Sequence, residues 1–257
     1  MKWPSRLVLV RHDVSTYNTL SGKKSQDPEY RKFLVEYAAD SESLVTRALA
    51  EMLAKRWNLG VGDHDTPLVD QEGRNAQAVG AALRARGEPL PNVIFVSPYE
   101  RTRDTLAGLK KGWPELGGVD VYEEERIREQ EHGLSLLYND WKIYCALHPE
   151  QRRLRELEGR YWYRFAQGEN VPDVRARNRD FLGTLVRDFA GQSVFVVSHH
   201  LNILAVRANL ERWGAKEFLA MDHKEKPINC GVTTYEGQSK LGRNGRLVLV
   251  AYNEKLY

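Results

Sequence analysis

The sequence predicts an α/β protein: a three-layer sandwich with a mostly parallel central sheet, helices on both faces and a helical cap insertion. Three observations carry this. The apolar runs within residues 7–10, 92–97 and 193–198 are too brief for buried helices and do not alternate, which suits strands covered on both faces. Each is followed by a helical pattern, and strands alternating with helices imply crossovers that layer helices over a sheet. The first run stops at Arg11-His12 and the last at His199-His200, and the carboxyl ends of strands form the ligand crevice of open α/β sheets.

Composition sets outer bounds. A chain of 257 residues can bury about three quarters of its unfolded surface, and one domain spanning 1–257 with a cap-like insertion at about 20–64 is expected. The 42% apolar and 28% charged content is that of an ordinary soluble protein, and no run approaches the ~18 apolar residues of a membrane span. Met1-Lys2-Trp3-Pro4 leads straight into the first strand without an apolar signal region, so a cytoplasmic location is expected. Cys145 and Cys230 lack metal-type spacing and are expected to be buried, reduced thiols. A net charge of +3 gives no nucleic-acid footprint.

In chain order, residues 7–10 form the first strand. Residues 20–29 are polar, and Leu44, Val45, Ala48, Leu49, Met52, Leu53 and Trp57 then recur at helical spacing behind Asp40 and Ser41. Seven basic residues between Ser21 and His64 balance seven acidic ones, which argues against a charged binding arm. After Thr66-Pro67 comes a helix whose Ala76, Val79, Gly80 and Leu83 line one face, small enough for close packing, with Gly87 at its end. Residues 92–97 form the second strand, and Pro98 stands where a helix can begin. Arg101, one turn in, can aim its fork where Arg11 points, while Arg103 points elsewhere.

Residues 119–123 read as a third strand, 136–145 as a helix, and Val174, Asn178, Phe181, Leu182, Leu185 and Val186 as the stripe of another helix ending near Gly191. From Gln151 to Asp180 eight arginines stand against five acids, interleaved with aromatics around Tyr161-Trp162-Tyr163. A fourth strand at 193–198 meets His199-His200 and a helical pattern of Leu201, Leu204, Ala205 and Ala208. Two closing strands are expected at 228–235 and 246–252.

The strand ends thus offer His12, Arg11, Arg101 and His199 to one crevice, with Glu129 or Glu131 from a loop. That set fits phosphoryl transfer. A phosphomonoester dianion repels nucleophiles, so a catalyst must neutralise its oxygens, align an attacking atom and protonate the leaving oxygen.

Arg11-His12-Asp13-Val14-Ser15-Thr16-Tyr17-Asn18 resembles the R-H-G-x-S-x-x-N motif of the histidine phosphatase superfamily, the phosphoglycerate-mutase-like proteins. Pro67-Leu68 to Gln77-Ala78 resembles its P-L-T-x-x-G-x-x-Q-A stretch, with one residue of slip. Ser97-Pro98-Tyr99-Glu100-Arg101 and Val197-Ser198-His199-His200 resemble S-P-x-x-R and V-S-H-G. The resemblance implies phosphomonoester hydrolysis through a phosphohistidine on His12. Arg11, Arg101 and His199 would hold phosphoryl oxygens, and Asn18 would line the pocket. Glu129, four residues before Gly133, would be the proton donor in preference to Glu131. Arg164 and Glu169 lie in a stretch resembling Y-R-F-x-G-G-E-S and would face the substrate. The expected partner is a small phosphorylated substrate; no cofactor, metal, nucleic acid or membrane is called for.

Asp13 and His200 each replace a motif glycine beside the phosphate pocket, where an added carboxylate would repel a dianion. They motivate one alternative, a phosphate-binding regulatory protein with weakened catalysis. A second is a cofactor-dependent phosphoglycerate mutase, although the T-G-W-type segment of mutases has no counterpart in residues 19–26. A third is a metal-dependent phosphohydrolase using His12-Asp13, His64-Asp65 and His199-His200, against which the two arginines would repel a cation.

Overall fold

The computed structural model describes residues 2–257 and divides into two compact units. The first comprises the chain up to Ser15, residues 67–129 and everything from Asp173 onward; the second comprises residues 16–66 and 130–172.

The first unit is built on a six-stranded sheet of β1 (Arg6–Arg11), β2 (Val93–Val96), β3 (Asp120–Glu123), β4 (Ser193–Ser198), β5 (Val232–Gln238) and β6 (Arg246–Glu254) in the order β3-β2-β4-β1-β5-β6. The first four strands run parallel, β5 runs antiparallel to β1, and β6 runs antiparallel to β5. Alternate residues of the same strands feed two cores. Val8, Val10, Ile94, Val96, Phe195 and Val197 face helices Arg74–Ala85 and Glu100–Gly112. Leu7, Leu9, Val93, Phe95, Val194 and Val196 face helices Val171–Asp188 and His200–Leu210. Burial on both sides explains why these strands read as unbroken apolar runs. Ala76, Val79, Gly80 and Leu83 are buried as expected from their spacing. A Cβ at Gly80 would collide with the Leu109 carbonyl and one at Gly112 with that of Gln77, so helices 74–85 and 100–112 touch backbone to backbone.

Register places the site. Val10 pairs with Val197, and Val197 in turn with Val96. The next residues, Arg11, Ser198 and Ser97, end three adjacent strands together, and His12 and His199 follow side by side.

The second unit has its own core of Phe33, Leu49, Ala50, Leu53, Ile143 and Ala146. Residues 20–64 belong to it together with 130–172. The polar stretch 20–29 falls in two helices: Thr16–Gln26 is followed by Pro28–Ala39, with Asp27 as cap, its carboxylate accepting from the Glu29 amide at 2.9 Å, and Pro28 in the first turn. The next helix is capped by Ser43 rather than Asp40 or Ser41. The single helix expected over 136–145 is split. Gly133–Leu137 is a 3-10 turn, Asn139 takes φ +50°, and Asp140 caps Trp141–Leu147.

Two further differences lie in the first unit. The strand expected from 228 begins at Val232, because Cys230 takes φ +55° and closes a turn whose amide donates to Arg11 O at 3.0 Å. Helix Ala215–Lys224 has no counterpart in the sequence reading. Both cysteines are free and buried, and burial pushes the Cys145 thiol up to about 11. No helix among the described residues is long and apolar enough to cross a membrane.

Candidate active site

Arg11, His12, Tyr99, Arg101 and His199 are all carried by the first unit. The ring centroids of His12 and His199 lie 5.2 Å apart with planes at 61°, and the Tyr99 ring lies 4.9 Å from that of His199 with planes at 68°. The Arg101 guanidinium lies over the Tyr99 ring, 4.7 Å from its centroid. Arg11 donates through Nη1 to Pro227 O at 2.8 Å. Four of the six residues expected to act on substrate, Arg11, His12, Arg101 and His199, therefore converge.

One hydrogen bond fixes the His12 tautomer. His12 Nδ1 lies 2.6 Å from the Asp13 carbonyl, which can only accept, so Nδ1 carries the proton and Nε2 keeps its lone pair. His199 Nε2 lies 2.7 Å from Ser97 Oγ, a hydroxyl that can donate or accept, and its buried Nδ1 has no hydrogen-bond partner among the described residues. The Arg11 Nε is likewise buried without one among the described residues. A buried N–H group without an acceptor is costly in an isolated protein and suits an anion.

Both imidazoles are 3% exposed or less. Burial, then the charges of Arg101 and Arg11, hold His12 well below the ordinary imidazole range. Burial, then Arg101, His12 and Arg11, do the same to His199. Both rings are neutral at neutral pH. Burial also lowers the Arg11 guanidinium, with the charge of Glu129 acting the other way.

Glu129 sits at the end of a loop fixed from three sides. Arg177 donates through Nη1 to the carbonyls of Arg126 and Arg128 at 2.7 and 2.8 Å and through Nη2 to that of Glu129 at 2.9 Å. Ser198 Oγ donates to Ile127 O at 2.7 Å, and Glu129 Oε2 faces the Leu201 amide at 3.4 Å. Glu131 belongs to the second unit, where its amide donates to the Glu169 carboxylate at 3.1 Å. Asn18 lies on helix Thr16–Gln26, also in the second unit, as does Arg164.

The two residues standing where the motif has glycine are held by partners. Asp13 is 2% exposed; Oδ1 accepts from the Val14 amide at 2.7 Å and Asn75 Nδ2 at 3.0 Å, and Oδ2 faces the Ala76 amide in the first turn of helix 74–85 at 3.4 Å. The expected repulsion of a dianion therefore has a local counterweight, since this carboxylate is engaged by a helix N-terminus. His200 Nε2 lies 2.8 Å from Oδ1 of the fully buried Asp222. Asn229 Nδ2 donates to the carbonyls of His12 and Asp13 at 3.0 and 3.1 Å, bracing the loop after β1.

Sequence reasoning did not single out Tyr99, Arg177, Asp222 or Asn229 as contributors. Tyr99 was legible only as a residue inside S-P-x-x-R; the others act through partners distant in sequence. Among the described residues no group of three or more His, Cys, Asp or Glu side chains is arranged to hold a metal ion.

The chain is similar to the phosphoglycerate mutase-like protein AT74H of Arabidopsis thaliana, 31% identical over 175 residues, 61% of this chain. That match spans 60% of the length of the plant protein. It is 24% identical over 283 residues to the broad-range acid phosphatase DET1 of Saccharomyces cerevisiae, covering 84% of this chain and 81% of the yeast one. Its fold is that of a mycobacterial glucosyl-3-phosphoglycerate phosphatase solved with inorganic phosphate, at a TM-score of 0.63 and 22% identity, over 98% of each chain. The profile of the histidine phosphatase superfamily, branch 1, matches residues 54–248, more than half of the sequence, and the chain belongs to that superfamily.

Proposed function

We propose that this chain is a phosphatase that hydrolyses small phosphomonoesters through a phosphohistidine on His12, with Glu129 as the proton donor. The observation that carries this is a neutral, buried His12 whose Nδ1 proton is held by a carbonyl, leaving the lone pair on Nε2, set beside His199 and the guanidiniums of Arg11 and Arg101.

In the first step Nε2 attacks phosphorus in line with the ester oxygen. The P–N bond forms, the P–O bond to the alcohol breaks, and the Glu129 carboxyl gives its proton to the departing oxygen. Arg11, Arg101 and His199 take the equatorial oxygens, whose charge no longer repels the nucleophile. In the second step the Glu129 carboxylate takes a proton from water as its oxygen attacks phosphorus. The P–N bond breaks, orthophosphate leaves, and His12 and Glu129 return to their starting states.

The Asp13 contacts favour this reading over a pocket that binds phosphate without turnover, because its carboxylate has amide donors of its own. The yeast acid phosphatase among its relatives favours hydrolysis over transfer back to substrate. A rapid quench with a 32P-labelled phosphomonoester tests the proposal. An acid-labile, alkali-stable phosphoprotein is expected in the parent and none in His12→Ala, whose turnover should drop at least a thousandfold. Turnover by His12→Ala within tenfold of the parent would sink the assignment. With 3-phosphoglycerate, release of orthophosphate is expected; conversion to the 2-isomer without release would make the chain a mutase.

A further inference from the structure

A second hollow, of about 880 Å³, lies away from the catalytic crevice within the first unit. Its walls come from Trp3 ahead of β1, the end of helix His200–Leu210, the flank of helix Val171–Asp188 and the turn between β5 and β6. Because β5 is antiparallel to β1 and Glu236 lies opposite Arg6, that turn sits at the start of β1. His12 follows the other end, about 20 Å along the strand at ~3.3 Å per residue. None of the groups assigned to phosphoryl transfer lines the hollow.

Three features of it suit a ligand. The floor is apolar, formed by Trp3, Leu182, Leu210 and Leu249 where they lean on the core. Four guanidiniums, Arg179, Arg212, Arg243 and Arg246, also line it, all on exposed residues, and among the described residues none forms an ion pair with a carboxylate. The one carboxylate in the wall, Glu211, is already taken: it accepts from Arg207 Nε at 2.9 Å and from the Tyr235 hydroxyl at 2.5 Å. The hollow thus carries four positive charges and no free negative one. Finally, Gly183 faces it from the interior of an 18-residue helix. Glycine is the costliest interior helix residue after proline, yet a Cβ built at Gly183 meets nothing within 4 Å. Packing does not require this glycine; a side chain there would instead occupy the hollow.

We propose that this hollow is a binding site for a small amphiphilic anion, taken up as a single molecule. Its apolar body lies on the Trp3–Leu249 floor and its carboxylate, or another compact anionic head, pairs with the arginines. The volume is that of an ordinary small-molecule site, and fork-shaped guanidiniums suit an oxyanion head. A concave site favours a monomeric ligand over a bilayer surface. The proposal does not depend on the phosphatase reading.

Calorimetric titration of the full chain with decanoate below its micellar concentration tests it, with decanol and decyltrimethylammonium as neutral and cationic controls. One decanoate per chain is expected, bound at least tenfold more tightly than either control. Arg243→Glu/Arg246→Glu and, separately, Gly183→Leu should each weaken it at least tenfold while melting within a few degrees of the parent. The exposed arginine pair keeps the test alive if Gly183→Leu folds poorly. Equal binding of decanol, uptake of many decanoates per chain, or unchanged affinity in a folded Gly183→Leu would overturn the site. So would a parent dimer that the same substitutions convert to monomer in sedimentation velocity, which would make the hollow a subunit interface, or binding to anionic vesicles without binding to monomeric decanoate.

Discussion

His12 and His199, at the ends of parallel neighbours β1 and β4, meet edge to face with centroids 5.2 Å apart and are both all but inaccessible to water. Two charged imidazoles at this separation would repel each other and the guanidiniums of Arg11 and Arg101. The fold resolves the conflict by keeping both rings neutral and leaving the positive charge to the arginines.

That arrangement predicts how stability responds to acid. The folded imidazoles lie well below the unfolded value of 6.5. As pH falls through 6.5 the unfolded chain takes up protons that the folded chain refuses. Stability is therefore lost on acidification, between 6.5 and the lowered folded values. Each ring contributes a slope of up to about 1.4 kcal/mol per pH unit, or about 2.7 for the pair. Urea unfolding of the phosphate-free protein at pH 7.5, 6.5, 5.5 and 5.0 measures it. His199→Asn should remove roughly half the slope, and an unchanged slope would mean that other groups dominate acid sensitivity.

The same electrostatics predict phosphate binding in the absence of turnover. Orthophosphate or vanadate placed against Arg11, Arg101 and His199 should stabilise the folded chain by about 2.7 kcal/mol at a hundred times its dissociation constant. Arg101→Ala should abolish most of that gain while leaving the ligand-free melting temperature within a few degrees. A thermal-shift titration reads both quantities. Equal stabilisation of the variant would place the anion elsewhere.

Arg177 is a positioning residue whose three bonds to the carbonyls of residues 126, 128 and 129 hold the loop that presents Glu129. Replacing it by methionine should cost activity selectively. Alkyl phosphates, whose leaving oxygen needs a proton, should lose ten- to a hundredfold in kcat. 2,4-dinitrophenyl phosphate, whose leaving group departs unprotonated, should lose less than threefold. A uniform loss on both substrates would mean that Arg177 supports the fold rather than the acid.

The sequence made the sheet legible because its strands are buried on both faces, and a double-sided strand has one reading: residues 7–10 and 194–197 leave nothing to alternate. His12, Arg101 and His199 were legible because each stands just past a strand end. Thr16–Gln26 was not legible, since its apolar face amounts to little more than Leu20 and its polar residues serve tertiary bonds, as Lys24 does with Asp140 at 3.2 Å. Asp222 and Arg177 were hidden for a related reason: a buried carboxylate and a carbonyl-binding guanidinium are recognisable only by partners that local periodicity does not encode.

Asp13 offers the sharpest test of how a motif departure is absorbed. Read as an added negative charge beside the phosphate pocket, it should slow a phosphatase, and its removal should accelerate one. In the structure its carboxylate faces the Val14 and Ala76 amides and the Asn75 side chain, with the Thr105 hydroxyl bonding the Asp13 amide at 2.9 Å. Asp13→Ala leaves the Val14, Ala76 and Asn75 donors without their carboxylate and should cost about 1–3 kcal/mol of stability in urea unfolding. Asp13→Asn, which keeps an acceptor, should cost less. Both variants should retain kcat/KM within about fivefold of the parent, because the charge being removed is already balanced by amide donors and a helix terminus. A rise of tenfold or more in kcat/KM on removing the carboxylate would mean that it opposes the substrate dianion after all.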